Sequence, residues 1–189
     1  FAVMVLEESQ DSVLIPAGIW MADTISYHLK TPDDGPILLH VSVRDSAGNW
    51  SNPVNRTVYL DRRLPQIKSF GFLAPYVSHF TPEVAVTCYD DTSFSAVGAL
   101  DRIEFSENQA FDPAGTIVFD LPDRAIFSGN FQIPLTPVYG VHTLYVRVRD
   151  RAGNYSDVAQ AQVEVVQVVS PVTVRIADPT DPQDVRMAA

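Results

Sequence analysis

The sequence predicts an all-β chain of tandem two-sheet Greek-key sandwiches, and three observations predict it. Fourteen prolines run from Pro16 to Pro182, too many and too widely spread for long helices. Short stretches of alternating apolar and polar residues recur between clusters of Pro, Gly, Asp and Ser. A segment of eleven residues, VSVRDSAGNWS at 41–51, returns as VRVRDRAGNYS at 146–156 with eight positions identical. The offset of 105 holds outside the motif, where Gly35 matches Gly140, Leu39 matches Leu144 and Val58 matches Val163. That spacing suits whole domains in series, because solenoid and propeller repeats have periods of about 20–50 residues.

Each copy of the motif reads as a β-hairpin. Leu39, Val41 and Val43 alternate with His40, Ser42 and Arg44, as Leu144, Val146 and Val148 alternate with Tyr145, Arg147 and Arg149. Asp45 and Gly48, then Asp150 and Gly153, supply what the turn requires: a carboxylate to accept main-chain N–H bonds and a glycine where φ is positive. Asn49 and Asn154 complete the two turns. The returning strands span about 50–60 and 155–168. Ahead of the second hairpin, strands are expected at 66–73, 83–89, 101–105, 116–119 and 131–135, which makes seven in roughly 100 residues.

Composition excludes several functions. The 189 residues carry 13 basic and 23 acidic side chains for a net charge of −10, and only Lys30 and Lys68 are lysines. No polycationic face is available for a phosphate backbone, so nucleic acid is not an expected partner. The longest apolar run, 13–22, is interrupted by Pro16 and is half of the roughly 20 residues needed to cross a bilayer as a helix, so no membrane insertion is expected. The chain opens at Phe1 without a methionine, and Glu7 and Glu8 interrupt its first apolar stretch, which reads as a processed product or an excised fragment.

Signals of chemistry are sparse. His28, His40, His79 and His142 form neither an HExxH nor an HxH pair, and no nucleophile elbow, phosphate loop or dinucleotide fingerprint occurs. No catalytic residue, cofactor or metal ligand is assigned. The acidic pairs Asp90–Asp91 and Asp120–Asp123 and the trio Asp178, Asp181 and Asp184 lack EF-hand spacing and read as solvated carboxylates. Cys88, alone of its kind, sits in phase with Val84 and Val86 and reads as a small core residue. Trp50 and Tyr155 occupy equivalent places after the two turns, which suits packing on their own hairpins better than a sugar platform with Trp20, Tyr76 and Tyr139.

A strand, then RDSAGNWS or RDRAGNYS, then a strand ending in VYLDRRLP, resembles the bacterial immunoglobulin-like and fibronectin type III-like tandem repeats of surface and secreted proteins. In such families a glycine precedes the penultimate strand, as Gly35 and Gly140 do, and a short linker such as 60–65 joins successive units. The resemblance implies an extracellular or cell-surface location and a non-catalytic role as a segment of a stalk, adhesin or fibre. The alternative it implies is a carbohydrate-binding or spacer module of a secreted glycan-active enzyme.

The organisation expected is a partial immunoglobulin-like domain at 1–63, a complete one at 64–169, and an extra strand and tail at 170–189. Asp45 lies 44 residues after Phe1, whereas Asp150 lies 85 after Pro65, so the first unit lacks room for its opening strands. The tail carries a spare alternation of Val172, Val174 and Ile176. It reads as the start of a third unit in a longer array or, as the alternative, as a strand donated to the next subunit, where those residues would meet Phe1, Val3 and Val5 in a strand-exchange interface. Expected partners are neighbouring immunoglobulin-like units or identical subunits, and a surface glycan or protein receptor.

Overall fold

The computed structural model describes residues 2–7, 13–15, 26–90 and 99–169. All regular structure among them is β. Strands β1 (Ala2–Glu7), β2 (Val13–Ile15), β3 (Gly35–Arg44) and β4 (Val54–Leu60) form one antiparallel sheet in the order β2-β1-β3-β4. The rest of the chain supplies β5 (Gln66–Phe72), β6 (Tyr76–Val77), β7 (Glu83–Tyr89), β8 (Leu100–Ser106), β9 (Thr116–Arg124), β10 (Ile126–Gln132), β11 (Gly140–Asp150) and β12 (Ala159–Val165).

These eight strands make two sheets, β10-β7-β5 and β6-β12-β11-β8-β9. Pro75 lies where the chain changes sheets. β5 pairs antiparallel with β7, and after Pro75 the short β6 pairs parallel with the end of β12. The strand order is that of an immunoglobulin or fibronectin type III-like sandwich, in which sequence neighbours are split between sheets.

Period-two alternation puts Val84, Val86 and Cys88 of β7 on the same inner face, opposite Leu144, Val146 and Val148 of β11, and all six are buried. Phe105 lies between the sheets, with its ring centroid 5.2 Å from Phe131, 6.0 Å from Phe119 and 6.1 Å from Phe70. Burial pushes the Cys88 thiol up to about 12, so it stays protonated and packs as a hydrophobe.

Strand β10 runs over Ile126–Gln132 rather than 131–135. Ile133 and Leu135 are buried, which is what their pattern signals, but their N–H groups reach the carbonyls of Pro82 and Phe80 beyond the ladder (3.0 and 2.7 Å). The two-residue β6 carries no pattern long enough to read.

The first sheet reproduces half of the sandwich. β3 and β4 stand 105 residues before β11 and β12, and β1 pairs with β3 as β8 pairs with β11: Val3 opposite Val43 and Val5 opposite Val41, against Ile103 opposite Val148 and Phe105 opposite Val146. Among the described residues no strand corresponds to β5 or β7. The consequence is visible on the inner face, where Val43 is 50% exposed and its counterpart Val148 is 0% exposed.

Candidate functional site: the repeated turn and the linker

The two turns share four hydrogen bonds. The Asp45 and Asp150 N–H groups donate to the Asn49 and Asn154 carbonyls (3.0 and 3.1 Å), and Gly48 and Gly153 N–H to the Asp45 and Asp150 carbonyls (3.2 and 3.3 Å). Asn49 N–H reaches Asp45 Oδ1, and Asn154 N–H reaches Asp150 Oδ1, each at 2.8 Å. The amide Nδ2 of each asparagine donates to Oδ2 of its aspartate, at 3.1 and 2.8 Å. Gly48 and Gly153 hold φ of 97° and 98°, a region costly for residues with a Cβ. The Asn49 amide and N–H hold the Asp45 carboxyl below its ordinary value.

What differs is the surroundings. Asn154 Nδ2 also donates to the main-chain carbonyl of Asp61 at 3.0 Å, whereas Asn49 Nδ2 has no second acceptor among the described residues. Asp150 is accordingly buried and Asp45 exposed. The linker is held from its other side by Arg62, whose Nε donates to Asp34 Oδ1 at 2.7 Å and whose Nη2 reaches the Pro32 carbonyl. Arg62 holds the Asp34 carboxyl below its usual range.

A second repeated device uses buried or half-buried glutamate. Glu7 accepts from Lys30 N–H (2.7 Å), Thr31 N–H (3.1 Å) and the Tyr27 hydroxyl (2.7 Å). Glu107 accepts from Thr136 N–H and Oγ1 (both 2.7 Å). Thr31 and Thr136 are again 105 apart, and each precedes a proline. Burial raises both glutamates, but the donors around them outweigh it and hold both carboxyls below the ordinary value.

In the sandwich His142 joins this device. Its Nδ1 lies 2.6 Å from Glu107 Oε1 and its Nε2 2.7 Å from the Val138 carbonyl. An ionised Glu107 and a carbonyl both accept, so the surroundings favour the protonated ring, which can donate from both nitrogens. Burial lowers its pKa, and the Glu107 and Val138 bonds outweigh that and raise it. The equivalent position in the first sheet is Ile37.

The junction also gathers three carboxylates. Asp61, Asp90 and Asp150 each place an oxygen within 4.8 Å of the other two. Oxygen-rich clusters of this kind have the chemistry to hold a hard cation. Here Asp150 already accepts turn bonds with both oxygens and Asp61 Oδ1 accepts from Arg63 N–H (3.1 Å). Burial and the charges of Asp150 and Asp34 raise the Asp61 carboxyl above its ordinary value. Beside the junction a surface cleft of about 740 Å³ runs between β5 and the start of β12, with Ile67, Tyr89, Asp90, Asp157 and Val158 among its lining residues. Among the described residues its lining includes no histidine, serine, threonine or cysteine.

Tyr155 is committed to its own sandwich. Its hydroxyl donates to Glu104 (3.1 Å), and its ring and that of Phe111 lie 4.2 and 4.3 Å from the Arg147 guanidinium between them. Trp50 bridges to Arg44 as Tyr155 bridges to Arg149. Val3 and Val5 are buried, and β1 is paired on both edges, so neither edge of β1 is open to an added strand. Phe1, Trp20, Asp91, the acids beyond 177, and Val172, Val174 and Ile176 lie outside the described residues. The Glu7–Thr31 and Glu107–Thr136 pairs and the Arg62–Asp34 pair were not singled out from the sequence, although the paired Thr-Pro at 31–32 and 136–137 is a signal that finds the first two.

No family model and no curated protein matches the chain. Among solved structures it is similar to a tetra-tandem repeat in the extending region of a large adhesion protein, at 16% identity and TM-score 0.41, over 87% of this chain and 41% of that one. It is also similar to the FN1–FN3 domains of chicken CNTN1, at 13% identity and TM-score 0.46, over 87% of this chain and 55% of that one. The chain thus spans about half the length of these two.

Proposed function

We propose that the chain is a non-catalytic structural segment of an extracellular stalk, adhesin or surface fibre, of the bacterial kind its repeats resemble, that holds successive units at a fixed angle. The observation that carries this reading is the linker. Residues 61 and 62 are fastened to opposite sides, through Asn154 to the sandwich and through Asp34 to the first sheet. A flexible tether has no use for such bonds, whereas a rod that transmits position does. Its partners are neighbouring immunoglobulin-like units or identical subunits, with the receptor, glycan or protein, carried elsewhere.

Strand donation between subunits is part of the proposal. The half-open face of the first sheet at Leu39, Val41 and Val43 supports it, because an incoming alternating strand such as 172–176 would cover those side chains. Small-angle scattering of the intact chain tests the rod: one elongated conformation is expected, and a distribution of bend angles as broad as that of the Arg62→Ala, Asn154→Ala double variant would contradict it. Deleting residues 170–189 should lower thermal stability or the assembly state; no change in either would remove strand donation.

A further inference from the structure

Among the described residues, one turn is occupied and its copy is bare. Asn154 uses one Nδ2 hydrogen within the turn and the other on Asp61, the first residue after β4. Asn49 uses one hydrogen on Asp45. Next to it lies a shallow pocket of about 290 Å³ lined by Val43, Arg44, Asp45, Asn49, Trp50 and Ser51. Val43 and Trp50 are exposed there, whereas their counterparts Val148 and Tyr155 are not.

The residue that stands to β12 as Asp61 stands to β4 is Val166, again 105 positions on. Its N–H is held by the Val77 carbonyl at 2.8 Å, which fixes the segment as it leaves the sandwich. Val168 and Val169 just beyond are 69% and 83% exposed, a pair of apolar side chains at the exit. A donor with no second acceptor among the described residues, and an exit residue equivalent to Asp61, are the two halves of the bond that Asn154 and Asp61 already make inside the chain; the apolar pocket and the exposed valines stand beside them.

We propose that the 45–49 turn is a docking site for the exit segment of a second copy of this chain, with Asn49 Nδ2 donating to the Val166 carbonyl and Val168 or Val169 entering the Val43–Trp50 pocket. The contact is head-to-tail, so it builds an open chain or a ring of copies rather than a two-fold dimer. One hydrogen bond and a valine give a weak contact between free copies, which becomes strong only where units are tethered. This inference names the partner of the spacer reading and rests on it.

The test is a titration of ¹⁵N-labelled intact chain with unlabelled intact chain, from about 20 μM to about 2 mM, a range that captures weak contacts. Dose-dependent movement of the Asn49 side-chain NH₂ pair and the Trp50 indole is expected, with the Asn154 side-chain pair still. An unlabelled Val168→Asp, Val169→Asp donor should lose at least nine-tenths of that movement. Both substitutions lie at exposed positions, and the labelled partner remains wild type, so its folding is not in question. No movement at Asn49 and Trp50, or equal movement with the charged donor, would overturn the proposal. A bend-free monomer in scattering with no titration response would sink this inference and leave the spacer reading standing; a floppy linker with a response would do the reverse.

Discussion

Asn154 joins its own turn to a residue 93 positions upstream, donating one amide hydrogen to the Asp150 carboxylate and another to the Asp61 carbonyl at 3.0 Å. The turn that closes the β11–β12 connection is therefore also the socket that receives the linker. Its copy at Asn49 shares the main turn bonds and, among the described residues, has no linker in the socket.

That difference predicts unequal effects of one substitution. Asn154→Ala removes the bond to Asp61 along with the bond to Asp150 and should lower unfolding free energy by about 1–3 kcal/mol. Asn49→Ala removes only an exposed intraturn bond and should lower it by under about 1 kcal/mol. Urea denaturation of the two variants checks the order.

The inner faces give a second paired comparison. Val148 is sealed between two sheets and Val43 is half open, so Val148→Ala should destabilise by about 2–3 kcal/mol through lost burial and a residual cavity. Val43→Ala should have an effect below about 1 kcal/mol. Equal effects in thermal or urea melts would mean that something covers Val43 in solution, and a second copy is the first suspect.

The Glu107–His142 pair predicts a pH window. His142 is raised above 6.5, so its contribution is fully present below that value and is lost as pH rises through the higher folded value. Glu107 is lowered below 4.5, so its contribution is present above that value and is lost as pH falls through the lower folded value. The pair is therefore strongest between about pH 4.5 and 6.5. His142→Ile, the residue type found at position 37, should flatten this part of the stability profile, measured by urea midpoints across pH.

Asp61 has the opposite sign. Its carboxyl is raised, so its ionised form is disfavoured in the folded chain, and stability is gained as pH falls through the folded value toward 3.8. Asp61→Asn keeps an acceptor for Arg63 and should stabilise by about 0.5 kcal/mol at neutral pH, with no gain at pH 3. The measurement belongs in a chelator, so that a stray divalent cation cannot alter the balance among the neighbouring carboxylates of Asp61, Asp90 and Asp150.

The parts legible in the sequence were those whose physics is local. An aspartate, a glycine and an asparagine within five residues specify their turn without help from elsewhere, and period-two valines mark β7 and β11 because both bury one face. What escaped was set by distant partners. Asn154 reads as a turn residue until Asp61 is seen beside it, and nothing marks Glu107 until Thr136 and His142 close around it. Ile133 and Leu135 carried the alternation of a strand past the end of the ladder, because burial continues where pairing stops. The trio of Asp61, Asp90 and Asp150 comes from a linker, a strand end and a turn, and no spacing links them.

Residual dipolar couplings of the intact chain at pH 6 test the fixed junction most directly. The couplings of β3–β4 and of β11–β12 should fit a single alignment tensor in the wild type and separate tensors in Arg62→Ala, Asn154→Ala. Two tensors of different magnitude in the wild type itself would show units that move independently and would contradict the account.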